Sequence, residues 1–217
     1  MVIYLSCSAP RAVFDYFGEL GYEIKQLPRC SAVNGAVASH PDIFMCRDMV
    51  RGVTIHGDMA KIGRDYPENA AYCAVILEKY LICNLKHTAR DILEYAENIG
   101  LEKIHVNQGY AKCSCAVVDG RSIITADDGI YKALAGHDID VLKITGGHVQ
   151  LEGYDYGFIG GACGTVGDEL VFCGDLREHP DFEKICAFAE KRGVKVRYFE
   201  GVPLTDTGTI IAENRPI

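Results

Sequence analysis

The sequence contains no run of lysine or arginine, and its net charge is −8. A nucleic acid or an anionic membrane surface asks for a basic patch, so neither is an expected partner. No apolar stretch approaches the roughly 20 residues that span a bilayer. The first eleven residues, Met1 to Arg11, have neither a basic leader nor a proper hydrophobic segment, so they are not read as a secretion signal. Ten cysteines without such a signal read as reduced thiols, and a cytoplasmic location is expected. The C-x2–4-C pairs typical of structural zinc sites are missing as well. No metal and no cofactor are therefore expected, with a convergent thiolate set of Cys113, Cys115, Cys73 and Cys163 as the alternative.

What the sequence does contain is a repeat. Cys73-Ala74-Val75-Ile76, Cys115-Ala116-Val117-Val118 and Cys163-Gly164-Thr165-Val166 are each followed by an apolar stretch that begins eight residues after the cysteine: Leu81-Ile82-Cys83, Ile123-Ile124-Thr125 and Val171-Phe172-Cys173. Two short apolar runs about a polar turn predict a hairpin. A helical stripe then follows each hairpin. Ile92, Tyr95, Ala96 and Ile99 form one, closed by Gly100; Asp127 or Asp128 caps a second that runs through Ala135; Phe182, Ile185, Cys186 and Ala189 form a third, closed by Gly193. A third strand follows in each: Lys103–Asn107, Val141–Thr145 and Val194–Phe199. Residues 35–57 make a weaker copy with the helix reduced or absent. The last copy is split between the ends, with Thr205–Ala212 as its first strand and Val2–Leu5, a helix and Tyr22–Leu27 as the remainder. Five strand–strand–helix–strand units closing on themselves predict one α/β domain, 1–217, a five-bladed propeller whose last repeat is closed by pairing of the terminal strands.

Most cysteines read as small buried residues at equivalent strand positions. Cys113 stands apart: its counterparts at the same offset are Ala71 and Gly161, and Lys112 next to it favours a thiolate. It is the candidate nucleophile. The linker 146–161 is rich in glycine and aromatics and suits a loop that closes over a pocket. His148 in this loop is the expected general acid or base. Ser39-His40-Pro41-Asp42 reads either as a polar turn or as a His/Asp pair at the same mouth, and Asp206 is placed equivalently in the last unit.

QGYAKCS at 108–114, GGHVQLEGYDYGFIGG at 146–161 and PLTDTGTI at 203–210, together with the five-unit organisation, resemble a bacterial branch of the pentein fold, the guanidino-group-modifying enzymes such as arginine deiminase and dimethylarginine dimethylaminohydrolase. The resemblance spans nearly the whole chain. It implies a cysteine nucleophile, a histidine and acidic residues at an axial mouth, acting through a covalent amidino intermediate. Those enzymes place the cysteine near the C-terminus, where this chain has Thr205. By distance from Gly109 and Gly201, Cys113 and Thr205 are equivalent around the axis, so the thiol is expected on another spoke of the ring.

The expected activity is a cysteine-dependent hydrolase or transferase acting on a small guanidine- or amidine-like compound. Cys113, His148 and Asp206 form the expected catalytic set. His40, Asp42, Cys115, Cys163, Thr205 and Glu152 face the substrate. The alternative is a non-catalytic member of the fold that binds a metabolite or a protein. A small-molecule ligand and a second copy of the chain, forming a homodimer, are the expected partners.

Overall fold

The apolar runs become strands with both faces buried, which is why they read as continuous rather than alternating. The computed structural model describes residues 1–33 and 35–214. The chain order is β1 (Val2–Ser6), α1 (Arg11–Glu19), β2 (Glu23–Leu27), α2 (Pro41–Phe44), β3 (Met45–Asp48), β4 (Val53–His56), β5 (Val75–Ile76), β6 (Tyr80–Cys83), α3 (Arg90–Asn98), β7 (Glu102–His105), α4 (Ala111–Ser114), β8 (Cys115–Asp119) and β9 (Ser122–Thr125). It continues with α5 (Asp128–Ala133), β10 (Asp140–Lys143), β11 (Cys163–Val166), β12 (Glu169–Phe172), α6 (Phe182–Glu190), β13 (Lys195–Arg197) and β14 (Ile211–Glu213).

The fold is mixed α/β, built from several small sheets. Among the described residues these are β14-β1-β2, β3-β4, β5-β6-β7, β8-β9-β10 and β11-β12-β13. In each three-stranded sheet the hairpin pair is antiparallel, and the strand after the helix returns parallel to the middle one, as with Leu81 opposite Lys103. The first sheet has the same plan although its members come from opposite ends of the chain: Val2 pairs with Glu213 antiparallel and with Glu23 parallel.

Period two decides what joins these sheets. On β8, Cys115 and Val117 pack with Val75 and Ile82 of the preceding sheet. Ala116 and Val118, between them in sequence, pack with Leu170 and Phe172 of the following one. On β1, Ile3 and Leu5 meet Val171 of the fifth sheet, and Val2 and Tyr4 meet Met45 of the second. Cys46 joins the second sheet to Ala74 and Ile76 of the third. The contacts therefore form a closed cycle. Full burial of one such aliphatic side chain is worth roughly 1.5–3 kcal/mol.

Helices α3, α5, α6 and α1 each fill one junction with a buried stripe, for example Ile92 and Ala96, or Ile185 and Ala189. Among the described residues the unit of β3 and β4 is followed by two 3-10 turns in place of an α-helix, Met59–Lys61, capped by Asp58, and Glu68–Ala70. Its junction with the first sheet is accordingly small: Val2, Tyr4, Met45 and Ile211, with Leu27 packed against them. The helix after β9 is capped by Asp127, which accepts from Ile130 N at 2.8 Å. No described helix is long and apolar enough to cross a membrane.

The third strands shift by one to two residues from expectation, to Glu102–His105, Asp140–Lys143 and Lys195–Arg197, and the larger difference is near the C-terminus. The strand expected at Thr205–Ala212 is Ile211–Glu213; Thr205 makes only an isolated bridge to Gln150. The cause is local. Asp206 accepts from Gly208 N through its own side chain, and Gly208 and Thr209 then take φ of 73° and 42°. That turn bends 205–209 away from extended geometry.

Candidate functional site

Two four-residue helices of the same design deliver the principal groups. Each sits just before the first strand of its unit: α2 before β3 and α4 before β8. His40 precedes α2 in extended conformation, Pro41 supplies a first-turn φ that needs no hydrogen-bond donor, and Asp42 follows. Cys113 is the third residue of α4. Both residues of the pair are buried, Asp42 at 0% exposure and Cys113 at 2%.

Here the Cys113 thiol donates to Asp42 Oδ2 at 2.9 Å. The Thr209 hydroxyl donates to the same oxygen at 2.7 Å, with the Gly160 carbonyl 2.9 Å away. Cys73 Sγ lies 3.9 Å from Cys113 Sγ. Asp206 accepts from Phe158 N at 2.9 Å and from Gly208 N at 3.1 Å. Its Oδ1 is 3.7 Å from His40 Nδ1, too far for a hydrogen bond. Both ring nitrogens of His40 and Oδ1 of Asp42 are buried without a hydrogen-bond partner. No lysine or arginine forms an ion pair with Asp42 or Asp206 among the described residues.

The loop 157–161 is threaded through this centre. Gly161 N donates to Cys113 O at 2.8 Å, and Gly161 O accepts from the amides of Thr207 and Thr209, both at 3.0 Å. A methyl group on Gly161 would lie 2.0 Å from Asp206 Oδ1, and one on Gly160 would lie 2.3 Å from Cys115 O. The glycines are thus required by close approach of backbone to side chain.

The electrostatics follow from this enclosure. Its neighbour Cys73, burial, and the Asp42 carboxylate push the Cys113 thiol well above the ordinary thiol range. Cys113 is therefore protonated near neutral pH, which reverses the expectation that Lys112 would favour the thiolate. The Lys112 ammonium donates to Cys115 O (3.2 Å) and to Thr209 Oγ1 (3.3 Å), the hydroxyl that donates to Asp42, rather than to the thiol. Burial also raises the Asp206 carboxyl above its usual value. A cavity of about 240 Å3, lined by Lys112, Thr209, Arg47 and Met45 among others, lies against this centre, with Thr209 touching both it and Asp42.

His40, Asp42, Cys113 and Asp206, singled out from sequence, are brought together. The remaining candidates are not. His148 is exposed and sets its ring edge-on against His179, centroids 5.3 Å apart, beside a cavity of about 100 Å3 that also reaches Ser114 and Tyr156. His40, not His148, is the histidine beside Cys113. Glu152 is exposed. Thr205 turns its hydroxyl to the carbonyl of Pro203 at 2.9 Å. Cys115 and Cys163 open β8 and β11 and belong to the packing between sheets. One residue of the centre was missed: Thr209 lies four residues beyond the expected Thr205, past a turn that counting from Gly201 could not register. Cys73, expected there only as a member of a convergent thiolate set, precedes β5 rather than opening it, and its thiol turns to Cys113.

A mixed α/β chain that buries a thiol, an imidazole and two carboxylates together has the components of a small-molecule site. The chain belongs to DUF6873, a family of unknown function, whose model matches residues 49–211. Cys73, Cys113, Asp206 and Thr209 fall inside the match; His40 and Asp42 precede it. No curated protein sequence matches the chain. Among solved structures, an agmatine deiminase of C. jejuni superposes with a TM-score of 0.40 and 10% sequence identity, over 91% of this chain; the chain spans 59% of the length of that protein.

Proposed function

We propose that the cycle of sheets is a single five-bladed pentein-type propeller, and that its centre binds a small cationic guanidine- or amidine-like compound on which Cys113 acts as nucleophile. The domain would take in 1–217, of which Asn34 and residues 215–217 lie outside the described residues. The observation that carries the ligand class is the burial of Asp42 and Asp206 next to a thiol with no lysine or arginine paired to either among the described residues, His40 lying 3.7 Å from Asp206. Buried carboxylates are costly without compensation. A planar cation with several N–H donors supplies both the charge and partners for the free Asp42 oxygen.

The chemistry follows from the thiol's resting state. A cation placed between the carboxylates and Cys113 offsets the charges that hold the thiol protonated, so its sulfur becomes nucleophilic when the ligand is present. The S–H proton passes to the unpartnered His40, and sulfur attacks the amidinium carbon. His40 returns that proton to the departing nitrogen as the C–N bond breaks. Water then adds to the S-amidino carbon, giving its proton to His40, and the C–S bond breaks with sulfur reprotonated. Since every member of the group is at most 3% exposed, the ligand reaches it only when the 146–161 loop moves.

The test is alkylation by 2-chloroacetamidine, mapped by mass spectrometry, with neutral chloroacetamide as the comparison reagent. Cys113 should be labelled faster than the exposed Cys7 by the amidine and slower than Cys7 by the amide, and free guanidinium should protect it. Equal ranking with both reagents would remove the basis for a cationic substrate. The elevated Cys113 thiol also supports a second reading, a site that binds such a cation without turning it over. Calorimetric binding of guanidino compounds with no product release on prolonged incubation would favour it.

A further inference from the structure

The same enclosure contains a donor set that the amidine chemistry leaves unused. The ligand atoms of Asp42, Cys73 and Cys113 all lie within 4.8 Å of one another, and so do those of His40, Cys113 and Asp206; Cys113 belongs to both groups. We propose that the first of these groups forms a binding site for a thiophilic divalent cation, zinc by preference, with Cys73 and Cys113 as its two sulfur ligands, Asp42 as its oxygen ligand and a fourth position left open.

Two independent observations point there. The first is spacing. A tetrahedral site with metal–sulfur bonds of about 2.3 Å sets its two sulfurs about 3.8 Å apart. Cys73 and Cys113 stand at 3.9 Å, so a metal between them needs almost no movement of either. The second is an unpartnered atom. Asp42 Oδ1 is fully buried and has no hydrogen-bond partner among the described residues, although buried polar atoms are nearly always satisfied.

The mixture of donors selects the metal. Two thiolates and a carboxylate suit zinc, whereas calcium and magnesium take all-oxygen shells. On binding, Cys73 and Cys113 give up their S–H protons to solvent and donate the freed lone pairs to the ion. The missing C-x2–4-C spacing is no obstacle, because the cysteines are 40 residues apart in sequence and the packing of adjacent sheets joins them. The inference goes beyond the amidine reading, in which Cys73 has no part. It also adds a consequence: metal and cationic substrate exclude one another.

The experiment uses the full chain, reduced, stripped with a chelator and titrated with Zn2+ against a chromophoric competitor. One zinc per chain is expected. Cys73→Ser should weaken binding by at least about 10-fold, and Cys7→Ser should leave it unchanged. Co2+ in place of zinc should show sulfur-to-metal charge-transfer absorption that Cys73→Ser diminishes. If melting curves show Cys73→Ser to be unfolded, Asp42→Asn replaces it with the same readouts. Failure to bind zinc at micromolar concentration, wild-type affinity in the folded variant, or a cobalt spectrum without sulfur bands would each overturn the proposal. Chloroacetamidine labelling of metal-free protein separates the two readings. Labelling of Cys113 without zinc binding sinks the metal site alone, and zinc binding without labelling sinks the amidine chemistry alone.

Discussion

Gly161→Ala is the sharpest test of how the centre is assembled. The added methyl would sit 2.0 Å from Asp206 Oδ1 and 2.5 Å from its Cγ, whereas ordinary contact begins at 3.4 Å. Something must yield by about 1.4 Å, the difference between those two distances. Asp206 is a poor candidate, being buried and fixed by the amides of Phe158 and Gly208. Gly161 is equally fixed, through Cys113 O and the amides of Thr207 and Thr209. Overpacking typically costs about 1–3 kcal/mol, and loss of one hydrogen bond to a charged group adds about 1.5–3 kcal/mol. The expected loss is therefore about 3 kcal/mol or more, which for a chain of this size lowers Tm by roughly 6–12 °C. Gly18→Ala is the matched control. Gly18 is on exposed α1, and no atom lies within 4 Å of the place its methyl would take, so the same chemical change should be neutral or stabilise by about 0.5–1 kcal/mol. Urea unfolding of the two variants side by side decides the matter. A Gly161→Ala protein within about 1 kcal/mol of the parent would show that the loop does not press on Asp206, and the described centre would go with it.

Other outcomes follow from particular contacts. Tyr72→Phe removes the hydroxyl that donates to Asp91 (2.8 Å) and accepts from Asp58 N (3.1 Å); a loss of about 1–3 kcal/mol is expected by denaturant titration. Phe172→Ala empties a fully buried position between the fourth and fifth sheets and should cost about 3–5 kcal/mol by the same assay. Asp175 and Asp181 are held below the ordinary carboxylate value of 3.8 by Arg177 and Lys184 respectively. Since the folded values are depressed, their contribution is complete above about pH 4 and lost as pH falls further. Asp175→Asn should flatten the acid limb of a Tm-against-pH curve, and an unchanged limb would contradict the assignment.

Much of the fold was legible because the inner strands β1, β6, β8 and β9 pack both faces against neighbours, so hairpins stood out as apolar runs around polar turns, and single helical stripes marked the junctions. The pairing of the two chain ends followed from a related signal: Val2–Leu5 and the expected Thr205–Ala212 each lacked a partner nearby in sequence, although the strand itself is Ile211–Glu213. The centre was harder. His40 and Asp42 looked like an ordinary polar turn, and only closure of the cycle sets Asp42 beside a cysteine 71 residues away and a threonine 167 residues away. His148 drew notice through the composition of its loop. The glycines of that loop answer instead to the pressure of Asp206 and Cys115 on its backbone. Lys112 misled in a similar way, because adjacency in sequence says nothing about which side of a short helix an ammonium leaves.

The pairing of Val2 with Glu213 has a consequence for how the molecule could be rebuilt. Two strand ends separated by one ladder rung can be joined by a short turn, and new termini can then be opened at Gly120–Arg121, the hairpin tip between β8 and β9. Such a circular permutant keeps every strand pair while moving the covalent break to the opposite part of the molecule. The order of the units along the chain would then be a matter of gene layout, and the sheet contacts alone would define the architecture.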